Sequence, residues 1–136
     1  MTTTILWIHA TAAALWIGAC ACFVIAGLAL TPGTDDHKNF VARSAPKIDR
    51  LAMLSAALLL LTGLVNLAQA AISRRFAFST AFTTVLAIKI LLFIAMLAAM
   101  RASMKTAAMN QTLKAHAAVV AMGSIALLLG LWLIGS

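Results

Sequence analysis

A lysine inside a long apolar stretch needs a chemical reason. Lys89 stands within Phe76–Met100, a run that carries no other charge. An ionisable side chain in a membrane helix costs roughly 2.5–3.5 kcal/mol on insertion scales. Lys89 lies 12 residues before Arg101, or about 18 Å along a helix, too deep for easy snorkelling to that end. His9 is the second such residue. It begins a stripe of His9, Ala13, Trp16, Cys20 and Phe23, one helix face suited to a bundle interior. A neutral imidazole there serves as a metal ligand, a proton carrier or a hydrogen-bonding core residue.

Depth brings further residues to these two. Asn66 and Gln69 close the second apolar run, and Arg74 and Arg75 follow in the loop. One imidazole, one amine, two amides and two guanidiniums therefore converge near one face of the membrane. Haem b suits such a set, because helix bundles hold cofactors between facing helices. His9 and Lys89 would supply axial nitrogens to the metal, the lysine in its neutral form. Arg74 and Arg75 would neutralise propionates, and Asn66 and Trp16 complete the cofactor-binding set. Copper is the alternative cofactor. Seven Met and two Cys offer soft ligands for Cu(I). Met96, Met100 and Met104 recur at helical spacing, with Met109 beyond them and Cys20, Cys22 and His116 at similar depth. The chain has no Met-x-Met or Cys-x-x-Cys motif, nucleotide loop, hydrolytic triad or paired carboxylates.

The elements that must position these residues follow from composition. The chain has 136 residues, 64% of them hydrophobic and 10% charged, with mean hydropathy +1.07. A soluble enzyme, a disordered chain and a nucleic-acid-binding module are excluded. Four apolar runs, Ile5–Leu30, Leu51–Ala71, Phe76–Met100 and Ala115–Gly135, each reach the length of about 20 residues that spans a bilayer core of roughly 30 Å. Backbone groups in lipid must bond internally, so the runs are helices. The expected fold is an all-α integral membrane protein, a single antiparallel bundle of four helices. They cover about 4–30, 50–71, 79–101 and 114–135. The first run lacks a basic leader and continues past Cys20, so it reads as an uncleaved helix rather than a signal or lipoprotein sequence.

Charge sets the orientation. The first and third loops share one side and hold seven basic residues: Lys38, Arg43, Lys47, Arg50, Arg101, Lys105 and Lys114. The second loop holds only Arg74 and Arg75. The positive-inside rule then puts both termini outside, with Trp7 and Trp132 near the outer interface. Thr34 or Asp35 is expected to cap a short interfacial helix, with Pro46 leading into the second span. His37 is expected to be solvated beside Asp36, and His116 to be an interfacial residue. No acid falls within an apolar run, which argues against a carboxylate-based pump. Gly18, Gly27, Gly63, Gly123 and Gly130 are expected to permit close helix approach. Cys20 and Cys22, two apart, are expected on different faces and not bonded to each other.

Three stretches carry a family resemblance. The first run reads Ile8-His9-Ala10 through Ala14-Leu15-Trp16-Ile17-Gly18, the second Leu60-Leu61-Thr62-Gly63-Leu64-Val65-Asn66, and the third Ala87-Ile88-Lys89-Ile90-Leu91-Leu92. This order of His-x6-Trp-x-Gly, Thr-Gly-x-x-Asn and a buried lysine resembles the copper-resistance D family and the related HemJ-type protoporphyrinogen oxidases, over three helices of four. The resemblance implies a multi-pass protein of the bacterial inner membrane. In the HemJ-type branch it implies b-type haem, with the histidine and lysine that match His9 and Lys89 as ligands. The activity implied there is an oxidoreductase that passes electrons from protoporphyrinogen to a membrane acceptor. After Trp16 the chain departs from that branch, without its Pro-Arg and Tyr-His residues. The copper branch implies copper uptake or delivery. Three functions are thus open: haem-based electron transfer or a redox subunit, copper handling, and a cofactor-free accessory subunit of a membrane complex. The expected partners are the lipid bilayer and either a second copy or a larger membrane complex.

Overall fold

Thr34 starts the longest helix in the protein. Its Oγ1 accepts a hydrogen bond from the His37 backbone N–H at 3.3 Å, which satisfies one of the free amides of a helix start. Asp35 and Asp36 follow in the first turn, where negative charge suits the helix dipole. Gly33, at φ +87°, supplies the left-handed turn before the cap. The computed structural model describes residues 3–73, 79–105 and 109–135, the side chains of 109 and 131–135 excepted. Four helices result: α1 (Thr3–Ala29), α2 (Asp35–Ser73), α3 (Thr80–Lys105) and α4 (Met109–Gly135). All four are long and apolar enough to span a membrane, and no described residue is in a strand.

The Thr34 cap forms as expected, but the short interfacial helix does not end. α2 runs unbroken for 39 residues, with Pro46 inside it. Proline is tolerated there although it withdraws the usual donor from the Ala42 carbonyl. The basic residues Lys38, Arg43, Lys47 and Arg50 therefore ride on a helix rather than a loop. At α3, Ser79 takes the capping role: its Oγ accepts from the Phe82 N–H at 3.2 Å.

α1 runs antiparallel to α2 and α4, and α3 to α4. His9 meets Thr62 and Phe23 meets Phe40; Ile17 meets Gly123 and Gly27 meets Leu113; Lys89 meets Gly130 and Met96 meets Gly123. α1 packs on α2 and α4, and α4 on α3, whereas α2 touches α3 and α4 only sparsely. The core is built from α1 residues Trp16 and Cys20, α2 residues Ala52 and Ala56, α3 residues Met96 and Met100, and Val119 of α4. Trp16, Cys20 and Phe23 of the α1 stripe are buried, with Ala12 rather than Ala13 above them. Gly123 lets α1 approach α4: a Cβ there would lie 2.6 Å from Ile17 Cγ1. Large apolar side chains such as Ile25, Leu28, Leu61, Leu91 and Leu128 face outward. A surface of this kind suits lipid rather than water.

Candidate functional site

The bundle has two polar regions, one at each end. At the first, α1 and α2 present His9 and Thr62 to each other. His9 Nδ1 lies 2.8 Å from Thr62 Oγ1. The Thr62 hydroxyl sends its own proton to the Leu58 carbonyl at 2.6 Å. Its oxygen is therefore the acceptor, and His9 donates through Nδ1–H. That fixes the tautomer: Nε2 keeps its lone pair. An imidazole whose second nitrogen is held in this way is the usual arrangement of a metal-ligating histidine. Gly63 lies beside the ring: a Cβ there would sit in ordinary contact, 3.6 Å from His9 Cε1.

Lys89 comes from α3 at the same end. Its amine lies over α4, where a Cβ at Gly130 would fall 2.8 Å from Nζ. A side chain at 130 would push the lysine end aside. Among the described residues, no carboxylate lies within ion-pair distance of the Lys89 amine. Asn66 stands one turn beyond Thr62 on α2, half-buried, with Oδ1 lacking a hydrogen-bond partner. Trp16 is two turns below His9 and 1% exposed. It meets Phe93, one turn from Lys89, edge-on at 5.9 Å between ring centroids. The two rings form a floor under the His9 end. Trp16 Nε1 is buried without a partner. Arg74 and Arg75 lie outside the described residues, as does the side chain of Trp132; Trp7 is exposed.

The second polar region lies past that floor. His116 is fully buried at 0% exposure, and Asp49 is 7% exposed. His116 Nδ1 donates to the Thr112 carbonyl at 2.8 Å. His116 Nε2 lies 3.3 Å from Asp49 Oδ1, off the line of a hydrogen bond. With Nδ1 carrying a proton, Nε2 and the carboxylate can face each other only if one more proton belongs to the pair. Phe23 covers the His116 ring at 4.6 Å and stacks on Phe40 at 5.7 Å.

Three expectations change here. His37 is buried at 1% exposure, neither ring nitrogen having a partner, because α2 already packs against the bundle at its first turn. His116 is an interior residue, since α4 starts at Met109 and is already packed into the bundle at Thr112 and Leu113. Asp49 precedes that run in α2 by two residues and is nonetheless inside the bundle, so a buried carboxylate is present. One signal in the sequence marks it: Asp49, Ala52 and Ala56 share a face once the helix is carried through Pro46. Beside the pair, a cavity of about 960 Å³ opens between α2 and α3, with Asp49 and Ser103 in its wall.

The soft side chains divide. Cys20, Met96 and Met100 share the buried core, while Met104 and Cys22 are exposed; both cysteines are free thiols. Among the described residues, no three or more His, Cys, Asp or Glu gather as a metal site would need. No protein-family model matches the chain, and neither does any curated protein or solved structure.

Proposed function

We propose that the chain is a haem b-binding protein of the bacterial inner membrane, serving electron transfer or acting as a redox subunit, with His9 and Lys89 as the axial ligands. The observation that carries this reading is the Thr62 hydroxyl, which holds His9 by Nδ1 and leaves Nε2 as a base. The donor set also fits. Lys89 approaches the same end from another helix, over a glycine that leaves its amine unobstructed. Haem bound there supplies one-electron redox chemistry. The chain's own work is to orient two nitrogens, exclude water and satisfy the group's polar edge. Asn66, half-buried at the same end, would give an amide N–H to that edge. Trp16 and Phe93 close the site from below. Arg74 and Arg75 are proposed for the propionates. Oxidation of a porphyrinogen is the narrower activity that the HemJ-type resemblance offers. With basic residues concentrated at the end of the bundle where α2 and α4 begin and α3 ends, both termini are proposed to face outward.

An oxidised-minus-reduced spectrum with metal analysis tests the proposal. We expect a haem α-band and about one iron per chain, lost or shifted in His9→Ala and in Lys89→Met. A colourless, iron-free protein from haem-replete cells overturns it. Copper handling is the second reading, favoured by the three buried sulfurs of Cys20, Met96 and Met100. Stoichiometric Cu(I), lost in Cys20→Ser and kept in Lys89→Met, would establish that instead.

A further inference from the structure

Membrane topology accounts for the number of cations where α2 begins, but not for their arrangement. Arg43, Lys47 and Arg50 stand at intervals of four and three residues, on one face of α2. All three are exposed, and the buried Val41, Ala52 and Ala56 occupy the opposite side. Four residues after Arg50 the same face turns apolar: Leu54, Leu58 and Leu61 are 66%, 46% and 62% exposed. Charge thus gives way to hydrocarbon within one turn.

The cavity between α2 and α3 adjoins this face, and Arg50 and Leu54 belong to both. Lys38, Met53 and Met104 also line it, and all five are exposed. The space is therefore a groove open to the outside of the bundle, formed where α2 and α3 touch sparsely. Its volume of about 960 Å³ is ample for part of an organic molecule. Asp49 reaches the wall, but Oδ1 faces His116 Nε2 at 3.3 Å, so its charge is engaged inside the bundle. Arg50 has no carboxylate within ion-pair distance among the described residues, and the Lys38–Asp35 contact is exposed and weak. Ser103 and Met104 bring the end of α3 to this level, so the exposed Arg101 and Lys105 add to the positive potential.

The occupant must match cations and hydrocarbon one turn apart. Free phosphate answers the cations and makes no use of the apolar wall. A zwitterionic phospholipid brings its own cation to the row and is repelled there. An acidic protein segment meets the charges but not the leucines, which lie deeper, in the bilayer. A phospholipid of net negative charge answers both, since anionic headgroups attract cations at the membrane surface and its chains need an apolar wall.

We propose that the groove between α2 and α3 holds one anionic phospholipid, its phosphate at Arg50 and an acyl chain along Met53 and Leu54, with Lys38 and Lys47 adding attraction. The site uses no residue of the His9 end and stands apart from the haem assignment. To test it, the full chain in detergent micelles is titrated with phosphatidylglycerol and, separately, with phosphatidylcholine. Bound lipids are counted by native mass spectrometry. We expect one phosphatidylglycerol per chain, held at least about fivefold more tightly than phosphatidylcholine. Arg50→Gln, an exposed change, should weaken it about fivefold, and Met53→Trp should remove it by filling the groove. Lys114→Gln lies at the same end but outside the groove and should bind as the parent does. His9→Ala should also bind as the parent does, whether or not the parent carries haem. Four results would overturn the proposal: equal retention of the two lipids, equal weakening by Arg50→Gln and Lys114→Gln, displacement by inorganic phosphate at constant ionic strength, or unchanged affinity in both groove variants.

Discussion

The two ends of the bundle bury polar groups by opposite means. At the His9 end, small neighbours and a hydroxyl do the work: the amine of Lys89 lies over Gly130, and the ring of His9 rests beside Gly63 and bonds Thr62. At the Asp49 end, large residues do it: Phe23 and Phe40 stack over a histidine and a carboxylate already in contact. The first end holds two nitrogen bases with no acid between them. The second holds an acid and a base with a proton in common. Open nitrogen lone pairs belong with the first arrangement, and internal neutralisation with the second. A polar residue in a bundle is thus better classified by what faces it than by its own type.

The comparison breaks most severely at Asp49. Asp49→Ala leaves His116 buried without its partner, and a loss of about 3 kcal/mol in stability is expected. The double variant Asp49→Ala with His116→Leu should recover part of it; unfolding in mixed micelles would show whether the effects couple. Next comes the packing between the ends. Gly123→Val drives a side chain into Ile17, where even a Cβ lies 2.6 Å from Cγ1, and should cost about 1–3 kcal/mol by thermal melt. At the His9 end, Thr62→Val removes the acceptor from Nδ1. Its expected cost to stability is about 1 kcal/mol, but haem occupancy should fall by roughly 10–100-fold by absorbance titration. The smallest effect lies outside both ends. Lys38→Ala deletes an exposed pair with Asp35, and the melting curve should move by less than about 0.5 kcal/mol.

Helix number and type were legible because lipid leaves a chain little choice: about 20 apolar residues in a row span it as a helix. The pairing of His9 with a neighbouring helix was legible only as a stripe, since Thr62 sits four residues from the nearest polar side chain, Asn66, and nothing in its spacing names a partner. The Asp49 end was not legible for a different reason. Hydropathy places the edge of burial at Leu51, whereas packing continues to His37, 14 residues earlier. Pro46 reads locally as a boundary, yet the tertiary contacts of α2 hold the helix through it. His37, on the wrong side of that boundary, therefore reads as solvated, and Asp49 as lying outside the apolar run. Arg74 and Arg75 lie outside the described residues, so their place in the site rests on sequence alone.

The length of α2 has a mechanical consequence. At 39 residues, it measures about 58 Å, nearly twice the roughly 30 Å of a hydrocarbon layer. Several of its turns must stand in the headgroup zone or above it, like a mast stepped through a deck. A thicker or thinner bilayer changes the tilt of such a rod. With few contacts to α3 to resist it, the rod's swing is taken up along that seam, so membrane thickness itself becomes a force on the protein's inner wall.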